Sequence, residues 1–149
     1  MKIEDEIQQK KFKDDHQKLV VNLLYTSNWM NAHFELLFKG SDITLQQYNV
    51  LRILRGQFPN PSSIKLIKER MLDRMSDASR IVDKLVAKKL VIRKQSDSDK
   101  RSVDVIISDL GFNLLQSLDV LDEKSKELLK SLSKAEITEL NNLLDKLRG

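Results

Sequence analysis

Residues 76–107 read SDASRIVDKLVAKKLVIRKQSDSDKRSVDVII, and the spacing of the apolar residues changes within this stretch. In its first part, Ala78, Ile81, Val82 and Leu85 recur at intervals of three and four, which predicts a helix with one buried face. In its second part, two short runs rich in β-branched residues, 91–95 and 103–107, flank a polar segment. Such a pair of runs predicts a hairpin. The stretch therefore encodes a helix that leads directly into two strands with a charged tip.

A second short helix is predicted just upstream, because Ser62 or Ser63 can cap it and its apolar residues fall on one face. After a tight stretch at 72–75, Ser76 is predicted to cap the helix that follows. The outer face of this second helix carries basic residues four positions apart: Arg80, Lys84 and Lys88. Two short helices joined by a turn, the second with a basic outer face, are typical of a helix-turn-helix. A hairpin placed directly after them is typical of a wing.

Long helices are predicted on both sides of this region. An amphipathic helix is expected over 12–38 with its end at Gly40, and a capping box at Thr44 starts another helix near 45. Downstream, Ser108 is predicted to cap a helix that runs to Leu129 or Leu132, and a second capping box at Ser133 starts the last helix. The wide apolar stripe of the first helix and the leucine-rich terminal helices predict a homodimer.

The charge is concentrated in the middle third of the chain. The whole chain has a formal net charge of +4, but residues 65–101 carry twelve Lys or Arg against six Asp or Glu, a net charge of +6. A positive patch on a nearly neutral body is the electrostatic footprint of a nucleic-acid surface. We therefore expect double-stranded DNA as the partner.

Other functional classes lack their usual residues. The chain has no cysteine, and its two histidines, His16 and His33, lie seventeen positions apart, so neither a thiolate nor an HExxH-type metal site is expected. It has no glycine-rich phosphate loop and no GxSxG motif. No cofactor, metal or enzymatic activity is expected. No apolar run is long enough to span a membrane, and the charged first fifteen residues lack an apolar signal core, so we expect a cytoplasmic location.

The order of these elements resembles the MarR family of winged helix-turn-helix transcription regulators. The resemblance is carried by Ser79–Leu85 with Leu90–Arg93, by Asp99-Lys100-Arg101, which matches the family's D-x-R at the wing, and by Ser108–Gly111 in place of L-T-x-x-G. It implies a mainly α fold with a small β-hairpin wing. It also implies one MarR-type domain over 1–149, with a DNA-binding lobe at 44–107 and dimerisation helices at 8–40 and 108–148.

The sequence departs from the family at two positions. Lys89 stands where the family usually has glycine, a residue that relieves a left-handed helix end at no steric cost. Lysine would lose about 1 kcal/mol there, unless the helix ends differently. Ser108 replaces threonine and keeps the capping hydroxyl.

The predicted DNA contacts fall on the second helix, the turn before it and the wing. They are Arg74, Ser76, Asp77, Ser79, Arg80, Lys84, Lys88, Asp99, Lys100 and Arg101. Residues near the start of the helix are best placed for base edges, whereas Lys84 and Lys88 should follow phosphates. The resemblance implies that Arg101 enters the minor groove, a role that suits a guanidinium, and Asp99 would orient Arg101.

Aromatic side chains cluster on the first two long helices. The resemblance implies a pocket for a small effector, often a phenolic or other lipophilic compound, and the candidate contacts are Tyr25, Trp29, His33 and Tyr48. Aromatic residues at helical spacing also form ordinary core, and the sequence leaves both roles open.

Taken together, these patterns predict a sequence-specific DNA-binding transcriptional regulator that acts as a ligand-responsive repressor, a homodimer on a pseudo-palindromic operator. Two alternatives stay open at this stage. One is a winged-helix architectural protein with little sequence preference, and the other is a protein-interaction module that has lost DNA binding.

Overall fold

A computed structural model describes residues 1–95 and 103–149. In chain order the elements are α1 (Ile3–Glu6), α2 (Asp15–Leu37), α3 (Leu45–Gln57), β1 (Ser62–Ser63), α4 (Ile64–Arg70), α5 (Ala78–Ala87), β2 (Val91–Gln95), β3 (Val103–Ile107), α6 (Asp109–Ser117), α7 (Val120–Leu128) and α8 (Lys134–Arg148). The described residues are mainly helical, with an antiparallel sheet of order β1-β3-β2. The predicted fold class is confirmed. The chain divides into two compact units, Met1–Asn49 and Val50–Gly149.

In the first unit, the long helix begins three residues later than the sequence predicted. Asp14 caps it, because the Asp14 carboxylate accepts a hydrogen bond from the N–H of Gln17 at 2.8 Å. A carboxylate at this position satisfies one of the free N–H groups of the first turn and so fixes the start of α2 at Asp15. Gly40 follows the end of the helix with a φ of +99°, so the predicted end near Gly40 is confirmed.

The short helix α1 was not predicted, because its charged sequence shows no apolar period. Two contacts join it to α2: Lys18 Nζ lies 2.6 Å from Glu4 Oε1, and the Tyr25 hydroxyl donates to Glu6 Oε2 at 2.6 Å. Ile3 is buried. Tertiary contacts, rather than local sequence preference, therefore account for this turn of helix.

The start of α3 follows the predicted capping box. Thr44 Oγ1 accepts a hydrogen bond from the N–H of Gln47, and Gln47 Oε1 accepts one from the N–H of Thr44, both at 3.2 Å. The two side chains thereby satisfy two N–H groups at the helix start, and the helix begins at Leu45 as expected.

The second unit is built around one apolar core and the small sheet. Its fully buried side chains come from α3, α4, α5, β3 and α6: Leu51, Leu54, Ile67, Val82, Leu85, Val105 and Leu115. Strands β2 and β3 pair from Val91 opposite Ile107 to Gln95 opposite Val103, as the predicted hairpin requires. Strand β1 was not predicted, since its two residues carry no period and its pairing depends on β3.

The single helix predicted from Ser108 to Leu129 or Leu132 is wrong, because the structure has two helices there, α6 and α7. Around the break, the N–H of Asp119 donates to the carbonyl of Gln116 and the N–H of Leu121 donates to that of Leu118. These are i to i−3 bonds, which tighten the backbone and interrupt the α-helical ladder. Arg55 binds the Asp119 carboxylate at the break, with 3.0 Å between Nη1 and Oδ1.

Candidate nucleic-acid interface

Helix α5 has the two faces that the sequence predicted. Ala78, Val82 and Leu85 are buried, whereas Arg80 and Lys84 are exposed one helical turn apart. Within the described residues, no side-chain hydrogen bond or ion pair holds either cation. Both side chains are therefore available to an anionic partner.

The residue that caps α5 is Asp77 rather than Ser76. The Asp77 carboxylate accepts a hydrogen bond from the N–H of Arg80 at 3.1 Å. Ser76 does not cap the helix because its hydroxyl donates to Asp73 Oδ2 at 2.6 Å. The predicted cap was wrong by one residue.

Asp73 organises the turn between α4 and α5. Its carboxylate accepts the Ser76 hydroxyl and, at 2.9 Å, the N–H of Met75. These two bonds hold the pKa of Asp73 below its ordinary value, and the bond from the Ser76 hydroxyl has the larger effect. The turn leaves Arg74 exposed, and Leu72 and Met75 expose 83% and 94% of their surface. Sequence reasoning missed Asp73, whose signal was an aspartate two and three residues before its partners, the pattern of an Asx turn.

The remaining α5 candidates are less exposed. Ser79 is half-buried in the first turn, and Lys88 is half-buried at the C-cap, where its N–H donates to the carbonyl of Lys84 at 3.1 Å. Lys88 therefore lies at the edge of the exposed face, not at its centre.

Lys89 has the left-handed conformation that its position suggested, with a φ of +60°. The N–H of Lys89 donates to the carbonyl of Val86 at 2.8 Å, and the N–H of Leu90 donates to that of Leu85 at 3.0 Å. These two bonds form a Schellman motif, the helix end that glycine usually provides. The chain then enters β2 directly.

The first turn of α6 packs against this helix end. Ser108 Oγ donates to the Lys89 carbonyl at 2.7 Å and accepts from the N–H of Gly111 at 3.1 Å, so the predicted Ser108 cap is confirmed. A β-carbon added at Gly111 would lie 2.2 Å from the Leu90 carbonyl oxygen and 2.8 Å from Ile107 Cγ1. Glycine is required there by close approach, not by its own dihedral angles.

An ion pair that sequence reasoning missed joins α5 to the first strand of the wing. Arg93 Nη1 on β2 donates to Asp83 Oδ1 on α5. The two residues are ten positions apart, and their proximity depends on how the strand leaves the helix. The predicted wing-tip residues Asp99, Lys100 and Arg101 lie outside the described residues, and their roles stay predictions.

The aromatic candidates all belong to the unit Met1–Asn49. The rings of Trp29 and His33 lie 4.4 Å apart, and Tyr48 packs on Phe38 at 5.0 Å. The hydrogen bond from the Tyr25 hydroxyl to Glu6 raises the pKa of Tyr25 above its ordinary value.

This unit contains an open cavity of about 670 Å³. It is lined from the last turns of α2 to the first turn of α3, by residues that include Glu35, Phe38 and Gln46 but none of the four aromatic candidates. The assignment of Tyr25, Trp29, His33 and Tyr48 to an effector stays a prediction.

Two further properties concern residues 1–95 and 103–149. No three of the His, Cys, Asp or Glu side chains that the structure describes are grouped so that they could hold a metal ion. No helix there is both long and apolar enough to cross a bilayer.

A helix-turn-helix whose second helix presents unpaired cations, followed directly by a two-stranded wing, defines the class of winged helix-turn-helix DNA-binding proteins. A sequence profile described as the MarR family matches residues 41–102. The HTH-type transcriptional repressor IacR of Pseudomonas putida is 30% identical over 125 residues, which cover 81% of this chain and 69% of that protein. The chain belongs to the MarR family.

Solved structures agree with this assignment. The MarR transcription factor from Planctomyces limnophilus is 29% identical with a TM-score of 0.69, over 91% of this chain and 98% of that one. BpsR from Bordetella bronchiseptica shares the fold at 24% identity, with a TM-score of 0.73 over 88% and 99% of the two chains. Members of this family regulate transcription, so the chain is a DNA-binding transcription regulator and not an enzyme.

Proposed function

We propose that this regulator is a homodimeric, ligand-responsive repressor that binds a pseudo-palindromic operator in the cytoplasm. The observation that carries the proposal is the exposed, unpaired pair of cations on α5, Arg80 and Lys84, directly before a wing. An α-helix fits the major groove, where an arginine near its first turn can bind a guanine edge in bidentate fashion. The similarity to a named repressor supports the direction of regulation.

A dimer would place two recognition helices on successive turns of one face of the duplex, about 34 Å apart. Its support is the apolar surface exposed on α2 and α8. We propose the lobe at 44–107 for DNA binding and the helices at 8–40 and 108–148 for pairing.

The test begins with selection of preferred sequences from random duplex DNA. A specific regulator should bind the selected duplex ~10³-fold or more tightly than random duplex. Equal affinity for both would favour the architectural alternative. No binding to any duplex would favour an interaction module without DNA binding.

Variants of the two proposed DNA-contacting elements give the second part of the test. Arg80→Ala should cost roughly 1–3 kcal/mol per half-site and relax one operator position in each half. Arg101→Ala should lower the salt dependence by about 1 per half-site and weaken any A·T preference at the flanks. Lys2→Ala removes an exposed cation outside both the lobe and the proposed pairing helices and serves as the control. Equal, sequence-independent losses from Arg80→Ala and Arg101→Ala would reduce both residues to phosphate anchors.

The proposed effector is a small aromatic compound, by analogy with BpsR, whose DNA binding is regulated by 6-hydroxynicotinic acid. Such a ligand would favour a conformer with wrongly spaced recognition helices. Trp29 is the single tryptophan of the chain and is partly exposed, so its fluorescence offers a direct probe. Titration with hydroxylated aromatic acids, 6-hydroxynicotinic acid among them, should change this fluorescence and weaken operator binding over the same concentrations. A fluorescence change without an effect on DNA affinity would contradict the regulatory role.

A further inference from the structure

The outer face of α5 contains a carboxylate as well as cations. At about 100° per residue, Asp83 lies about 60° around the helix from Arg80 and is followed directly by Lys84. All three side chains are exposed. A free carboxylate on a surface that meets DNA would repel the phosphates and offset much of the attraction of one cation.

Asp83 is not free, because Arg93 binds it from the wing. Arg93 lies on β2, opposite Val105 of β3, and its guanidinium reaches the Asp83 carboxylate on α5. The side chain of Arg93 is 34% exposed and that of Asp83 is 58% exposed. The arginine is thus the more enclosed member of the pair, and its guanidinium is directed at the helix.

We propose that Asp83 and Arg93 act together as a positioning pair. Arg93 holds the first strand of the wing against the recognition helix, and it cancels the charge of Asp83 at the DNA surface. Arg93 on this basis does not anchor a phosphate, and Asp83 does not read a base. The inference rests on the proposed sequence-specific binding, because it assigns α5 and the wing to one DNA-facing surface.

The net charge of each variant distinguishes a positioning pair from two alternatives, a phosphate anchor at Arg93 and a base contact by Asp83. Removal of Arg93 alone leaves an unpaired carboxylate facing DNA. This variant should therefore bind DNA more weakly than a variant that lacks both partners. If Arg93 were a phosphate anchor, its removal would cost the same whether or not Asp83 was charged. If Asp83 accepted a hydrogen bond from cytosine N4, its amide variant would change the preferred base at one position.

The experiment is a double-mutant cycle of wild type, Asp83→Asn, Arg93→Ala and the double variant. Affinities are measured for the duplex that wild type selects from random DNA and for a scrambled duplex of equal length and composition. We expect Arg93→Ala to weaken binding about fivefold in the wild-type background, the upper range of an exposed ion pair. In the Asp83→Asn background it should change binding less than about twofold, since no carboxylate is left to unmask.

Two further readouts separate positioning from simple stabilisation. In the Asp83→Asn background, removal of Arg93 should leave the slope of log K against log salt unchanged, whereas loss of a phosphate anchor would lower it by about 1 per half-site in either background. Asp83→Glu keeps the charge and should retain most of the affinity. In the free protein, hydrogen exchange of the β2 amides should become faster in Asp83→Asn, which tests the contact without DNA.

Arg55 and Asp119 provide a matched control pair. Their side chains are 31% and 53% exposed, close to the values for Arg93 and Asp83, and they join α3 to the break between α6 and α7 in the same unit. Arg55→Ala and Asp119→Asn remove the same charges, so their cycle should be additive and within about twofold of wild type on DNA.

If the two substitutions lowered DNA affinity additively, and Arg93→Ala lowered the slope of log K against log salt in both backgrounds, Arg93 would be a phosphate anchor and the proposal would be overturned. A new base preference in Asp83→Asn would overturn it in favour of base reading, and unchanged β2 exchange would overturn the positioning role. Failure of the proposed function looks different: wild type would then bind selected and scrambled duplexes equally, and the cycle would still be measurable on either.

Discussion

At the scale of single residues, Lys89 has the most informative conformation. A residue with a β-carbon loses about 1–2 kcal/mol in the left-handed region relative to glycine. Lys89 adopts this conformation because the Schellman bonds of α5 require it. The departure from the family pattern at this position left two outcomes open, a strained lysine or a helix that ends differently, and the structure has the first.

Lys89→Gly should therefore raise the free energy of unfolding by about 0.5–1 kcal/mol, less than the full strain because glycine also gains freedom in the unfolded chain. Denaturant unfolding at a fixed protein concentration measures the change. Lys89→Ala removes the charge but keeps the β-carbon, so its stability should stay within about 0.5 kcal/mol of wild type. An equal gain from alanine and glycine would attribute the effect to the lysine charge.

The sequence predicted the exposed cations of α5 but not the contacts of the turn residues before them. Arg80 and Lys84 follow from helical spacing alone, since a buried stripe defines the opposite face. The choice between Ser76 and Asp77 as the cap depends on Asp73, which takes the Ser76 hydroxyl. Both adjacent residues are good caps, and the geometry of the turn decides between them.

At the scale of elements, local signals predicted helix starts better than helix continuity. The boxes at Thr44 and Ser133 and the cap at Ser108 are all present, because each needs contacts over three residues only. Strand β1 pairs with the distant β3, and Asp119 at the break between α6 and α7 binds the distant Arg55. No local pattern reveals either contact.

The capping box of α8 should make that helix sensitive to acid. The N–H and then the hydroxyl of Ser133 bind the Glu136 carboxylate and hold its pKa below the ordinary value of 4.5. A carboxyl with a lowered folded-state pKa contributes stability that is present above the unfolded pKa and is lost as pH falls through the folded one. The contribution should therefore be full at pH 7 and disappear below pH 4.5.

Carboxyl NMR titration checks the pKa directly, and Ser133→Ala should return it toward 4.5. Glu136→Gln keeps the geometry of the box without the charge. The difference in stability between wild type and Glu136→Gln should therefore shrink on acidification. A difference that stays constant from pH 7 to pH 3 would contradict this account.

At the scale of the whole molecule, the long helices expose apolar side chains in excess of what a monomer needs. In the first unit Leu19, Val20, Leu24 and Leu36 on α2 are each at least half exposed. In the second unit Leu140, Leu143 and Leu147 on α8 are exposed. Large exposed apolar surfaces on soluble proteins mark interaction sites.

We expect sedimentation equilibrium at micromolar concentration to give twice the 17.3 kDa of one chain. An obligate interface of this kind often buries 2,000 Å² or more, mainly apolar. Leu24→Asp combined with Leu143→Asp should shift the mass toward the monomer, because buried unpaired charges are costly. Ile92→Asp changes an equally exposed apolar residue of the wing and should leave the mass unchanged. A wild-type mass of 17.3 kDa would contradict the dimer.

The contact at Gly111 has a consequence for how this molecule transmits movement. The backbone of α6 touches the Leu90 carbonyl where no further atom fits, and Ser108 binds the neighbouring Lys89 carbonyl. Close-packed backbone leaves little room for sliding. We therefore expect a displacement of the first turn of α6 to shift the end of α5 with it, so that this turn would couple α6 to the orientation of α5.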